Sequence, residues 1–189
     1  MLIRLTPLLG LGVAAVILGY RLADWIPGIG SFYQLVIFLG LLLGMIILGT
    51  EPGWNVTLYL GFALAAGVLL FWSGALVNQL KTWILFSVLF LISLAGGAFS
   101  SRITGRAAAL LFPITIFYLM GWILFLFFPL PGLYKTIWII FGLVLFTLIT
   151  IAVFNRGKIL RQEESAVPLN IELFVVLFNL YWLSGLIWL

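Results

Sequence analysis

Residues 107–128 read AAALLFPITIFYLMGWILFLFF, a run of 22 residues without a charged side chain. An α-helix needs ~20 apolar residues to cross the hydrocarbon core of a bilayer, so the run is long enough to span. A barrel strand would instead alternate apolar and polar residues with period two. Phe125-Leu126-Phe127-Phe128 in this run, and Leu41-Leu42-Leu43 earlier, do not alternate. The run therefore reads as a transmembrane helix, which pairs its backbone amides within its own segment.

The rest of the chain repeats the pattern. Apolar residues make up 65% of the 189, charged ones 7%, and the mean hydropathy is +1.33. Soluble domains carry about 25% charged residues. Apolar runs fall at 6–26, 31–50, 55–77, 82–100, 107–128, 134–154 and 170–189, which predicts a single all-α domain of seven transmembrane helices over residues 1–189. Turn chemistry separates them at Pro27-Gly28 with Gly30, at Pro52-Gly53, and at Pro129 with Pro131-Gly132. Trp25, Trp54, Trp72, Trp83 and Trp138 fall near span ends, as an interfacial aromatic belt requires. The first run lacks an A-x-A-like end before Arg21 and reads as a retained helix rather than a signal peptide. A six-span alternative lays it at the interface, with Arg21 and Asp24 paired on one face.

Charge placement orients the chain. With seven spans, Arg4, Arg102, Arg106, Arg156, Lys158 and Arg161 share the side of the N-terminus, and Arg21, Lys81 and Lys135 lie on the other. Six against three predicts a cytoplasmic N-terminus and a C-terminus across the membrane. The same rule accounts for the net charge of +4 without invoking nucleic acid. The chain has no cysteine and no histidine. This excludes disulfides, thiolate nucleophiles, Cys-ligated metals and the usual haem ligand, and no run forms a catalytic, nucleotide-binding or metal site. No cofactor is expected.

Small residues four apart let membrane helices approach closely. Gly40/Gly44 form such a pair in span 2, Ala63/Gly67 in span 3, and Ser93/Gly97 with Gly96/Ser100 in span 4, which predicts span 4 as a central, tightly packed helix. Packing within the bundle, contact with a partner protein and chance occurrence all remain open for these pairs. Pro113 predicts a kink in span 5, with the Thr115 hydroxyl placed to satisfy a freed carbonyl.

Polar groups at membrane depth are rare and mark candidate sites. Asn155, Glu172 and Asn179 are the candidates here. Glu172 lies two residues into span 7, either reaching interfacial water beside Arg156, Lys158 or Arg161, or acting as a titrating, cation-attracting group at the mouth of a cavity. Asn179 is expected to bond across to another helix, and Asn155 to end span 6 as a cap. The polar stretch Asn155–Asn170 reads as a charged linker, or as a docking site in which Arg156, Lys158 and Arg161 receive a partner's charged loop.

The segment Ile171-Glu-Leu-Phe-Val-Val-Leu-Phe-Asn-Leu-Tyr181, with Ala152-Val-Phe-Asn155-Arg156 before it, resembles the last two helices of the BAX inhibitor-1 (transmembrane BAX inhibitor motif) superfamily. Order, loop lengths and helix number fit from about residue 31 to the end. The resemblance implies a seven-helix bundle with a short final helix packed centrally. Members that leak calcium in a pH-sensitive way use an aspartate on each of the last two helices. At these positions this chain has Asn155 and Val176, neither of which titrates, and Glu172, one turn from Val176, lacks a carboxylate partner on the other spans.

Four functions compete on these residues. The first is a non-enzymatic accessory or regulatory protein of a larger membrane complex, such as a protease, a respiratory or photosynthetic complex, or an assembly intermediate. The second is a cation leak, and the third a small-solute carrier, which needs an internal repeat and interrupted helices. The fourth is an intramembrane enzyme, for which Glu172 stands alone. The first is the expectation carried forward, in a bacterial inner or thylakoid membrane, with lipid and another integral membrane protein as partners.

Overall fold

The computed structural model describes residues 2–25, 40, 54–73, 78–99, 105–128, 131–159 and 167–188. They form six helices: α1 (Leu2–Leu22), which runs into a 3-10 turn at Ala23–Trp25, then α2 (Trp54–Trp72), α3 (Gln79–Phe99), α4 (Gly105–Phe127), α5 (Gly132–Ile159) and α6 (Val167–Leu186). No strand occurs among the described residues. Six of the seven expected spans thus coincide with helices, and the second lies outside the described residues apart from Gly40. Three helical stretches are long and apolar enough to cross a membrane, Leu8–Trp25, Gln79–Ala98 and Gly132–Arg156. The apolar parts of α2, α4 and α6 are shorter, at Val56–Trp72, Leu110–Leu124 and Ile171–Leu186. An all-helical chain with such helices fits a membrane location.

Two local features differ from expectation. Helix α5 continues past residue 154 to Ile159, so Asn155 lies inside it and is not its cap. Only residues 160–166 then separate α5 from α6. In α4 the helix runs unbroken through Pro113. The carbonyl that loses its donor there belongs to residue 109, four positions back. Thr115 instead donates to the carbonyl of Leu111 at 2.7 Å, so it does not relieve that loss.

Contacts gather the chain into two compact units, Met1–Leu76 with Glu163–Phe174, and Val77–Gln162 with Val175–Leu189. In the first, α1 and α2 meet backbone to backbone. A Cβ added at Gly19 would overlap the Leu64 carbonyl, and one at Gly67 the Val16 carbonyl. Tyr59, Phe62, Ala63 and Ala66 are fully buried at helical spacing, so one face of α2 forms the seam. Phe174 of α6 closes it, its ring edge-on to Tyr59 at 5.0 Å.

In the second unit α5 is central. Half of its membrane-length stretch is buried (50%), against 17% for α3. The expectation that span 4 forms the centre is therefore corrected. Ser93, Gly96 and Gly97 line only the side of α3 that meets α5, where Gly96 abuts Ile151 and Gly97 abuts Phe154. Small residues admit one close neighbour without burying a helix all round. On another side of α5, Tyr118 packs onto Gly142, and Trp138 onto Gly121 of α4. Helix α6 is buried on nearly every face, through Leu169, Ile171 and Leu173 in the first unit and Leu180, Leu183 and Leu186 in the second. A helix that is apolar all round is a core helix.

Candidate functional site

Six buried polar side chains in the helices turn back onto their own helix. Asn179 is 4% exposed, and its Nδ2 donates to the Val175 carbonyl one turn back at 2.8 Å. The expected bond from this amide group to another helix is replaced by that local one. Thr82, Ser93, Thr147, Thr150 and Ser184 are buried and do the same, donating four residues back at 2.7–3.0 Å. The carbonyl of the preceding turn is within reach of a helical Ser or Thr, so an apolar surrounding favours this pairing.

Asn155 is buried inside α5, with Arg156 exposed beside it. Glu172 is half-buried, five residues into α6, and belongs to the first unit, whereas Asn155 and Asn179 belong to the second. None of Asn155, Arg156 and Glu172 stands without a partner. Val176, one turn beyond Glu172, is buried. Lys158 lies in the last turn of α5, and Arg161 lies outside the described residues. Of the small-residue pairs, Ala63 and Gly67 sit on the seam with α1, and Ser93 and Gly97 are buried on α3, Gly97 against α5. Gly40 is exposed, and Gly44 lies outside the described residues. No group of three potential metal-ligating side chains occurs among the described residues.

Two clusters escape a reading of polar residues alone. Tyr118, 1% exposed, stacks on Trp138 with ring centroids 5.4 Å apart and meets Trp122 and Phe146 edge-on. Trp122 in turn lies 5.6 Å from Trp182. Tyr118, Gly121 and Trp122 share one helical face, and that spacing is the signal in the sequence. At the other cluster, Asn78 Nδ2 donates to the Trp188 carbonyl at 3.3 Å, and Lys81 Nζ lies 5.4 Å from the Trp188 ring centroid. No short-range pattern links residues so far apart in the chain.

The outward surface is apolar. Leu91, Phe112, Phe117, Met120 and Val144 are each more than half exposed. Soluble monomers rarely expose contiguous apolar patches of this kind, whereas lipid or a membrane partner accepts them at no solvation cost. Protein-family models and curated proteins were both compared with the chain, and none matches it. The geometry supplies rigid helix seams, an aromatic core and an apolar exterior.

Proposed function

We propose that this chain is a multi-pass membrane protein, with a cytoplasmic N-terminus, that acts without enzymatic chemistry by binding a larger membrane protein complex or one of its assembly intermediates. The observation that carries the reading is the local pairing of Thr82, Ser93, Thr147, Thr150, Asn179 and Ser184. Their donors are committed to their own helices, which disfavours a polar path through the bundle. The exposed apolar faces of α3 and α4 offer surface for lipid and partner alike. Arg156, Lys158 and Arg161 supply charge for a partner's acidic loop at the cytoplasmic end.

A cation leak of the BAX inhibitor-1 kind finds less support. It would depend on Glu172, with buried Val176 and the amide Asn155 where that family places its acids. Mild-detergent purification from the native membrane, followed by intact-assembly mass spectrometry, tests the proposal. A stable complex, weakened by reversing the charges of Arg156, Lys158 and Arg161, is expected. A monomer without co-purifying protein would count against it.

A further inference from the structure

The two units differ sharply in charge: the second holds seven of the nine basic residues and none of the five acidic ones. Two of those cations, Lys81 and Lys135, stand in the first turns of α3 and α5. Both helix beginnings lie at the same end of the unit. Tyr181 of α6 packs on Trp83 and Phe86 of α3, and Leu183 packs against Gly142 of α5. From those levels α3 and α5 run back to their N-termini on the side where α6 runs on to Trp188. The contacts of Asn78 and Lys81 with Trp188 fix that level directly.

A lysine in the first turn opposes the helix dipole. An anion beside Lys81 and Lys135 would offset both the side-chain charges and the dipole. The rim around it is aromatic and exposed, with Trp83 at 54%, Tyr134 at 56% and Trp188 at 41%. Exposed Ile84, Val88 and Leu91 continue below it on α3. Cation, aromatic rim and apolar wall in that order match the phosphate, glycerol and acyl levels of a phospholipid. We infer that this end of the second unit binds the phosphate of anionic phospholipid headgroups through Lys81 and Lys135, with Lys81 held in place over Trp188. The inference rests on the membrane placement proposed above and not on the partner complex.

The test is a local one. Leu80, exposed beside Lys81, is replaced by a photo-crosslinking residue, Leu80→p-benzoylphenylalanine, in nanodiscs of equimolar phosphatidylglycerol and phosphatidylcholine. Crosslinked lipid is then identified by mass spectrometry. Phosphatidylglycerol is expected to be enriched, with the enrichment falling about fivefold in Lys81→Gln or Lys135→Gln and surviving in Lys81→Arg. Added inorganic phosphate is expected to leave it unchanged, since a free-phosphate site would be competed. Equal labelling of both lipids, loss of labelling with inorganic phosphate, or enrichment indifferent to both glutamine variants would overturn the inference. Crosslinks to a co-purifying acidic protein would overturn it in favour of a protein ligand. Failure of the folded protein to enter bilayers would overturn the membrane placement as well.

Discussion

Tyr59 reaches the backbone of α1 because Gly12 has no side chain. Its hydroxyl donates to the Leu8 carbonyl at 2.9 Å, and a Cβ at Gly12 would overlap that hydroxyl. The ring is simultaneously held edge-on by Phe174. One glycine thus admits a polar bond between two helices, in contrast to the hydroxyls that turn back on their own.

Gly12→Val is expected to destabilise the protein by about 1–3 kcal/mol through overpacking against Tyr59. Gly10→Ala, with nothing within 4 Å of the added Cβ, is the control and should stay within ~0.5 kcal/mol. Tyr59→Phe should cost about 0.6 kcal/mol, the average for a hydrogen bond between membrane helices. Thermal unfolding in detergent, followed by tryptophan fluorescence, measures all three.

The seam at Gly67 is less forgiving. The obstacle there is the Val16 carbonyl and Tyr20 amide, which cannot rotate aside as a ring can. Gly67→Leu should cost about 3 kcal/mol or more and loosen α1 from α2. A disulfide between cysteines introduced across the seam in a Gly67→Leu background should form more slowly than in the parent. An unchanged rate and an unchanged unfolding temperature would contradict the backbone contact.

How much of this was legible in the sequence depends on what each residue needed. Long uncharged runs located the helices, because length and apolarity are local properties. Spacing marked Ala63/Gly67 and Ser93/Gly97 as small, yet could not name α1 and α5 as their neighbours. It also overstated α3, since a small-residue stripe reports one face and central burial requires all of them. Asn179 was visible as polar, but its choice of the Val175 carbonyl depends on the local geometry of a closed helix turn. Gly12 was missed because its partner Tyr59 lies 47 residues away with no pattern linking them.

Asn179→Leu is expected to change stability by no more than about 1 kcal/mol, because the Val175 carbonyl that loses the side-chain donor still accepts the backbone N–H of residue 179 within the helix. Co-purification of any partner should be unaffected. A collapse of the fold would show that Asn179 ties helices together after all.

Calcium flux through liposomes holding the purified protein is expected to be weak or absent across the acid-to-neutral range. Glu172→Gln should not alter it. Robust flux that rises with acid and disappears in Glu172→Gln would establish a leak in place of the accessory reading.

Every functional reading depends on how the chain crosses the membrane. Helix α6 has 20 residues, about 30 Å of helix, but its apolar part, Ile171–Leu186, is shorter, so whether it crosses is the point to test. Reporters fused after residue 160 and after residue 189 test this directly. Seven spans with a cytoplasmic N-terminus place the first inside and the second outside, whereas both reporters on one side would contradict the account.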